Sequence, residues 1–180
     1  MSLSCLSLIL GAILILSSAF VFVRPEQTRK FLKAFPRSLP IGYFFLIVST
    51  VWFLYYFSLE NVSDFAAMKK PMFIAFIVIA VGVGLYVKDF LAVRAYSIFM
   101  FLAAKLIYDT ARYADCCWAV LFPSVATVLV FFGMWFTATP CRMRDVLNWL
   151  TDKPKRLNIL AGFRALLGVI FIILGIMGVH

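Results

Sequence analysis

Histidine and acidic residues are scarce in this chain of 180 residues, which holds one histidine and eight aspartates and glutamates. The histidine, His180, is the last residue, so histidine-based acid–base catalysis has almost no candidate. No G-x-S-x-G or P-loop pattern occurs, and Asp109 and Asp115 are a weak acidic pair for catalysis. These absences favour a protein that is not an enzyme and that uses no cofactor.

Cysteine is also sparse, with four residues in the chain. Cys116 and Cys117 are adjacent, whereas redox enzymes normally use the C-x-x-C spacing. A thiol pair for a soft metal is one interpretation, which makes both residues weak metal candidates. Cysteine also packs as a small apolar residue. We therefore expect no metal site, and packing roles for both thiols.

Hydrophobic residues, by contrast, make up 64% of the chain, and the mean hydropathy is +1.02. Soluble domains average about 45–50% apolar residues. The excess comes in blocks of about 20 residues, the length that crosses a hydrocarbon layer. The sequence therefore predicts an all-α fold, a polytopic transmembrane helical bundle in a single domain over residues 1–180. The six predicted membrane-spanning helices cover residues 3–23, 41–59, 71–87, 90–110, 117–138 and 157–178.

Two features of the span boundaries are less regular. Pro123 falls inside the fifth predicted span, where it predicts a kink. The turn at residues 86–89 contains neither glycine nor proline. One helix over residues 71–110 would be about 60 Å long, twice the hydrocarbon thickness, so a turn is required there.

Positive charge is concentrated in alternate connections. Eleven lysines and arginines lie in the segments 24–40 and 139–156 and in the short turn at residue 88, against three in the connections on the other side. The positive-inside rule then makes these segments cytoplasmic, and it explains the net charge of +9 without nucleic acid as a partner. We expect an integral membrane protein of the cell membrane or bacterial inner membrane, with both termini on the non-cytoplasmic side.

The two basic connections mix cations with aromatic and aliphatic residues. In the second, Val146, Leu147, Trp149 and Leu150 predict a short helix in the membrane interface. Basic residues there attract anionic lipid headgroups, while ordinary topology determination is the plainer interpretation. On the predicted outer side, Asn61-Val62-Ser63 is a glycosylation sequon.

A short repeat precedes or opens the second, fourth and sixth spans. FLKAFPRSL, FLAVRAYS and ILAGFRALL each bring an apolar pair, then Arg37, Arg94 or Arg164, then serine or alanine. The repeat favours three related helical hairpins. Alternatively, each arginine marks only the cytoplasmic end of a helix.

The stretch RAYSIFMFLAAKLIYDTAR carries four ionisable residues on an otherwise apolar helix: Arg94, Lys105, Asp109 and Arg112. At 3.6 residues per turn they lie within about 60° of one face. The plainer interpretation is structural: Arg94, Lys105 and Arg164 extend to the headgroups, and Asp109 pairs with Lys105 or Arg112. The functional interpretation is a polar cavity that binds an anion, with Arg164 of the last span as a further candidate.

Two classes of function remain open on the sequence alone. The first is a subunit or scaffold of a membrane assembly, which packs on other membrane chains or on itself. The second is a small carrier or channel for an anion or anionic lipid, which uses the charged face of the fourth span. Small residues such as Gly162, Gly168 and Gly175 permit close helix packing in either class.

Overall fold

The computed structural model describes residues 3–60, 68–112 and 117–177, apart from the side chains of residues 117 and 118. Six helices in these ranges are long and apolar enough to cross a membrane. They are α1 (Leu3–Val23), α3 (Leu39–Leu59), α4 (Lys69–Tyr86), α5 (Leu91–Ala111), α6 (Leu121–Ala138) and α8 (Pro154–Met177). Two shorter helices, α2 (Pro25–Ala34) and α7 (Pro140–Asp152), connect them. The predicted all-α bundle with six spans is confirmed.

The most extensive helix pairing among the described residues joins the first and last spans, α1 and α8, which run antiparallel. A Cβ atom added at Gly11 would lie 2.8 Å from the carbonyl oxygen of Gly168, so only glycine fits this crossing. The Ser7 hydroxyl donates a hydrogen bond to the carbonyl of Phe171 across the same interface. A Cβ at Gly162 would meet nothing within 4 Å, so Gly162 does not take part in the close packing.

Helix α5 is the most enclosed of the six, with half of its central residues buried. It packs between α3 and α6. The contact with α3 is close at Gly42, where an added Cβ atom would lie 2.9 Å from the backbone nitrogen of Ala92. The buried side of α5 is lined by small and aliphatic residues that include Val93, Ala95 and Ile107. The charged residues of α5 therefore lie on its remaining, outward side.

The basic connections lie together at one end of the bundle, which we call the basic end. Helices α2 and α7 pack against each other there, and Lys33 Nζ lies 3.9 Å from Asp152 Oδ1. The turn before α5 is at the same end. Phe90 takes a φ of 54° there, a left-handed conformation uncommon outside glycine. The chain thus reverses without the glycine or proline that such a turn normally shows.

Two details differ from the sequence predictions. Helix α6 begins at Leu121 after a short 3₁₀ turn, Cys117–Val120, so Pro123 lies in its first turn. A proline there removes no intrahelical hydrogen bond, and the basis for a kink disappears. The three repeat arginines also take different places: Arg37 ends a 3₁₀ turn, Arg94 lies in the first turn of α5, and Arg164 lies near the middle of α8.

Candidate functional site

A cavity of about 830 Å³ lies at the basic end, and we call it the basic-end cavity. Its volume falls in the range of pockets that hold small ligands, about 300–1,000 Å³. Most of its lining is apolar and comes from six of the eight helices and from the 3₁₀ turn after α2. The lining residues are Ser17, Ser18, Phe20, Val21, Gln27, Thr28, Phe31, Leu32, Phe35, Phe45, Tyr96, Met143, Leu147, Leu150, Leu157, Leu160, Ala161 and Arg164.

Arg164 is the one charged residue in this lining. It lies ten residues after Pro154, about 15 Å along the α8 axis. Its Nη2 donates a hydrogen bond to Ser17 Oγ of α1 at 2.9 Å, which fixes the guanidinium against the cavity wall. No carboxylate in the part of the chain that the structure describes forms an ion pair with Arg164. The cavity therefore has a fixed positive charge on an apolar wall.

The other polar groups around the cavity are largely used locally. Thr28 Oγ1 donates to the carbonyl oxygen of Arg24 at 3.0 Å, and Ser18 Oγ donates to the carbonyl oxygen of Leu14 at 2.8 Å. These bonds satisfy hydroxyls inside their own helices. Arg164 is left as the charged group that can recognise a polar ligand, and Tyr96 and Gln27 are further polar residues of the lining.

Helices α2 and α7 cover the cavity at the basic end because each turns an apolar face toward the bundle. Leu32 of α2 and Leu150 of α7 pack on a buried cluster of Val21, Leu157 and Ala161. Phe35, in the 3₁₀ turn that follows α2, stacks edge-on against Tyr96 at 5.7 Å between ring centroids. We call these apolar faces of α2, α7 and the 3₁₀ turn the roof of the cavity.

The predicted charged face of α5 is an outward surface and does not form one polar cavity. Lys105 Nζ lies 2.9 Å from Asp109 Oδ2, so the predicted i,i+4 ion pair is present. Lys105 Nζ also lies 3.6 Å from Oε1 of Glu60, the residue after α3, and 5.0 Å from the centroid of the Tyr56 ring. Lys105 thus has two carboxylates and an aromatic ring as partners, the surroundings of a structural cation.

The remaining predicted site residues are spread apart. Arg94, Asp109 and Arg112 are exposed. Arg94 lines neither the basic-end cavity nor the smaller cavity of about 390 Å³ beside Lys105. Of the predicted site residues, the structure therefore places only Arg164 in the basic-end cavity, and it separates Arg164 from the three charged residues of α5 and from Arg112 at the end of that helix.

Several sequence predictions concern residues outside the described ranges. They include Cys116, the sequon at residues 61–63 and His180. The Cys117 side chain is likewise outside them. Among the residues that the structure does describe, no group of three potential ligands is arranged to hold a metal ion.

Helix α2 was missed by the sequence analysis, although a signal for it exists. Thr28, Leu32 and Phe35 recur at spacings of four and three, while Lys30 and Lys33 fall on other faces. That period indicates a short amphipathic helix, and Pro25 suits its first position. The second basic connection forms α7, so the short helix predicted there is confirmed.

Comparisons of this chain with protein-family models, with curated proteins and with solved structures find no match. Its function must therefore be inferred from the geometry of its own residues.

Proposed function

We propose that this protein is a non-enzymatic membrane protein that binds an anionic amphiphile in the basic-end cavity, as a carrier or a lipid-binding subunit. The supporting observation is Arg164, a cation without a carboxylate partner among the described residues, on the wall of an apolar cavity of about 830 Å³. This proposal keeps the anion-binding class that the sequence suggests and moves its centre from the face of α5 to α8.

The energetic reason is the cost of a charge inside a membrane. A charged side chain at the bilayer centre costs about 2.5–3.5 kcal/mol on insertion scales, and such residues usually pair or face a functional cavity. Ser17 supplies only a neutral acceptor to Arg164. A ligand anion would supply the missing negative charge, and the planar guanidinium can bind a carboxylate or phosphate through two parallel hydrogen bonds.

The basic end is proposed to face the cytoplasm, which leaves both termini on the non-cytoplasmic side. Eleven cations lie at this end, five of them within α2 and α7 and the others in the connections beside these helices. Such a surface attracts anionic lipid at about 1 kcal/mol per basic residue. It would raise the local concentration of anionic amphiphiles next to the cavity.

The test compares two arginine variants in the purified protein, reconstituted in phosphatidylcholine nanodiscs. Binding of radiolabelled laurate is measured for wild type, Arg164→Gln and the matched control Arg94→Gln, with lauryl alcohol as the neutral probe. A hydrogen bond to a charged group contributes about 1.5–3 kcal/mol, so Arg164→Gln should weaken laurate binding by about tenfold to a hundredfold. Arg94→Gln should bind laurate as wild type does.

Thermal unfolding of each variant checks that the bundle is intact, and Arg164→Lys provides a variant that keeps the charge. Arg164→Lys should bind laurate at an intermediate affinity because lysine lacks the planar fork. Equal affinity of the wild type for laurate and lauryl alcohol would contradict the proposal. An equal loss in Arg94→Gln would also contradict it.

A second proposed function, as a subunit or scaffold, is favoured by the packing of α4. Gly84 is the only buried residue of this helix, and Ile74, Val78 and Leu85 are more than half exposed. A photoreactive amino acid at Val78 tests whether a protein covers this surface in the native membrane. A discrete cross-linked polypeptide would support a subunit role, and adducts with lipid alone would argue against it.

A further inference from the structure

The position of Arg164 relative to the roof carries information about the ligand. Arg164 Nη2 contacts Ser17, which lies six residues before the end of α1. That is about 9 Å along the helix axis from the basic end. The roof side chains, among them Phe31, Leu147 and Leu150, belong to segments that lie beyond the end of α1 or before the start of α8. The cation is therefore deeper in the bundle than the apolar roof.

This order of polarity is opposite to that of a phospholipid standing in its leaflet. Such a lipid has its charged headgroup at the surface and its acyl chains below. The basic-end cavity has its charge below and apolar side chains above. A phospholipid could reach Arg164 with its phosphate only by placing its chains at the level of α2 and α7, or by leaving the headgroup under an apolar cover.

The exposed part of the lining indicates how a ligand enters. Phe20, Phe31 and Leu160 are the exposed apolar residues of the lining, and Gln27 is the exposed polar one. Gln27 is in turn engaged by Arg24, whose Nη1 donates to Gln27 Oε1 at 3.2 Å. An opening bordered mainly by two phenylalanines and a leucine suits entry from lipid better than entry from water.

We infer that the ligand is an apolar organic acid with one compact anionic group, which enters from the bilayer and binds with its anion deep, at Arg164, and its apolar body under the roof. This inference depends on the proposed function and specifies the ligand class of the same site. A carboxylate fits best because one guanidinium can neutralise its single charge and bind both oxygens. A two-chain phospholipid does not have this shape.

Photolabelling tests the orientation directly. A laurate analogue with a diazirine at its last carbon is bound to the wild-type protein in phosphatidylcholine nanodiscs, and the adducts are located by peptide mass spectrometry. Adducts should lie in the roof segments, residues 25–37 and 140–152, and excess laurate should suppress them. Adducts concentrated in residues 8–14 and 168–175, deeper along α1 and α8, would overturn the inferred orientation.

A pair of substitutions in α7 tests the position of the apolar body. Leu147 lines the cavity, whereas its neighbour Val146 is exposed and lies outside the cavity lining. Leu147→Trp fills part of the space under the roof and should weaken laurate binding at least tenfold, while Val146→Trp should leave it unchanged. Thermal unfolding identifies any variant that does not fold. An equal effect of the two tryptophans on folded proteins would contradict the inference.

The ligand class is tested by competition against labelled laurate. Dilauroyl phosphatidate, which has two chains, should compete at least tenfold more weakly than laurate, and equal competition would contradict the inference. Different results would contradict the proposed function and the inferred orientation. Laurate binding that is unchanged in Arg164→Gln would contradict the proposed function. Laurate binding that depends on Arg164, with adducts deep along α1 and α8, would contradict only the orientation.

Discussion

Replacing Gly11 with alanine should separate α1 from α8 and destabilise the bundle. The added Cβ would lie 2.8 Å from the Gly168 carbonyl oxygen and 3.1 Å from the Ile172 backbone nitrogen. Both atoms belong to the backbone, so no rotamer change can relieve the overlap and the helices must move apart. Overpacking of this kind costs about 1–3 kcal/mol.

Gly162 provides the matched control on the same helix pair. Alanine in a helix interior is favoured over glycine by about 1 kcal/mol, and this gain applies to both substitutions. Because a Cβ at Gly162 meets nothing, Gly162→Ala should be neutral or stabilising. The free energy of unfolding of Gly11→Ala should therefore be about 1–3 kcal/mol below that of Gly162→Ala.

The assay is unfolding in mixed micelles by increasing SDS, followed by tryptophan fluorescence. Gly11→Ala should also weaken laurate binding, because α1 carries the Ser17 hydroxyl that holds Arg164 at 2.9 Å. Gly162→Ala should leave binding intact. Equal stability of the two variants would refute the close crossing of α1 and α8 on which this reasoning depends.

Three further predictions concern the charged residues and the topology. Lys105→Met alone should destabilise the protein more than the double change with Asp109→Asn, because the single variant leaves the carboxylate unpaired; a double-mutant cycle in micelles measures this. A membrane-impermeant thiol reagent applied from outside should label Ser63→Cys and not Asp152→Cys in a background without other cysteines, and the reverse pattern would invert the proposed orientation. Arg94→Lys should bind laurate as wild type does, and a marked loss would return the anion site to the face of α5.

The six spans could be predicted from the sequence because length and hydropathy are local properties. Their boundaries agree with the structure within a few residues, and α1 matches at both ends. The turn between α4 and α5 was predicted at residues 86–89 from helix length, one residue before its place at 87–90 in the structure. The left-handed Phe90 has no sequence signal. Local patterns were thus sufficient for the number of spans and for most of their ends.

The pairing of the helices could not be predicted in the same way. Helix α1 is apolar on all sides, so its sequence does not show that it packs on α8 through Gly11. The contact of Lys105 with Glu60 joins α5 to the end of α3, and spacing along α5 predicts only the partner at Asp109. The cavity around Arg164 depends on α2 and α7 folding back over the bundle, which is a property of the assembled fold.

What separates the cations of this protein is the kind of partner that each has, more than its depth along a helix. Lys105 lies well inside α5, yet two carboxylates and the Tyr56 ring satisfy it. Arg94 is exposed in the first turn of its helix. Arg164 has a serine hydroxyl and an apolar cavity beside it. A charge that the fold holds in place without neutralising it is the feature expected of a binding residue, so Arg164 is the residue on which the function should depend.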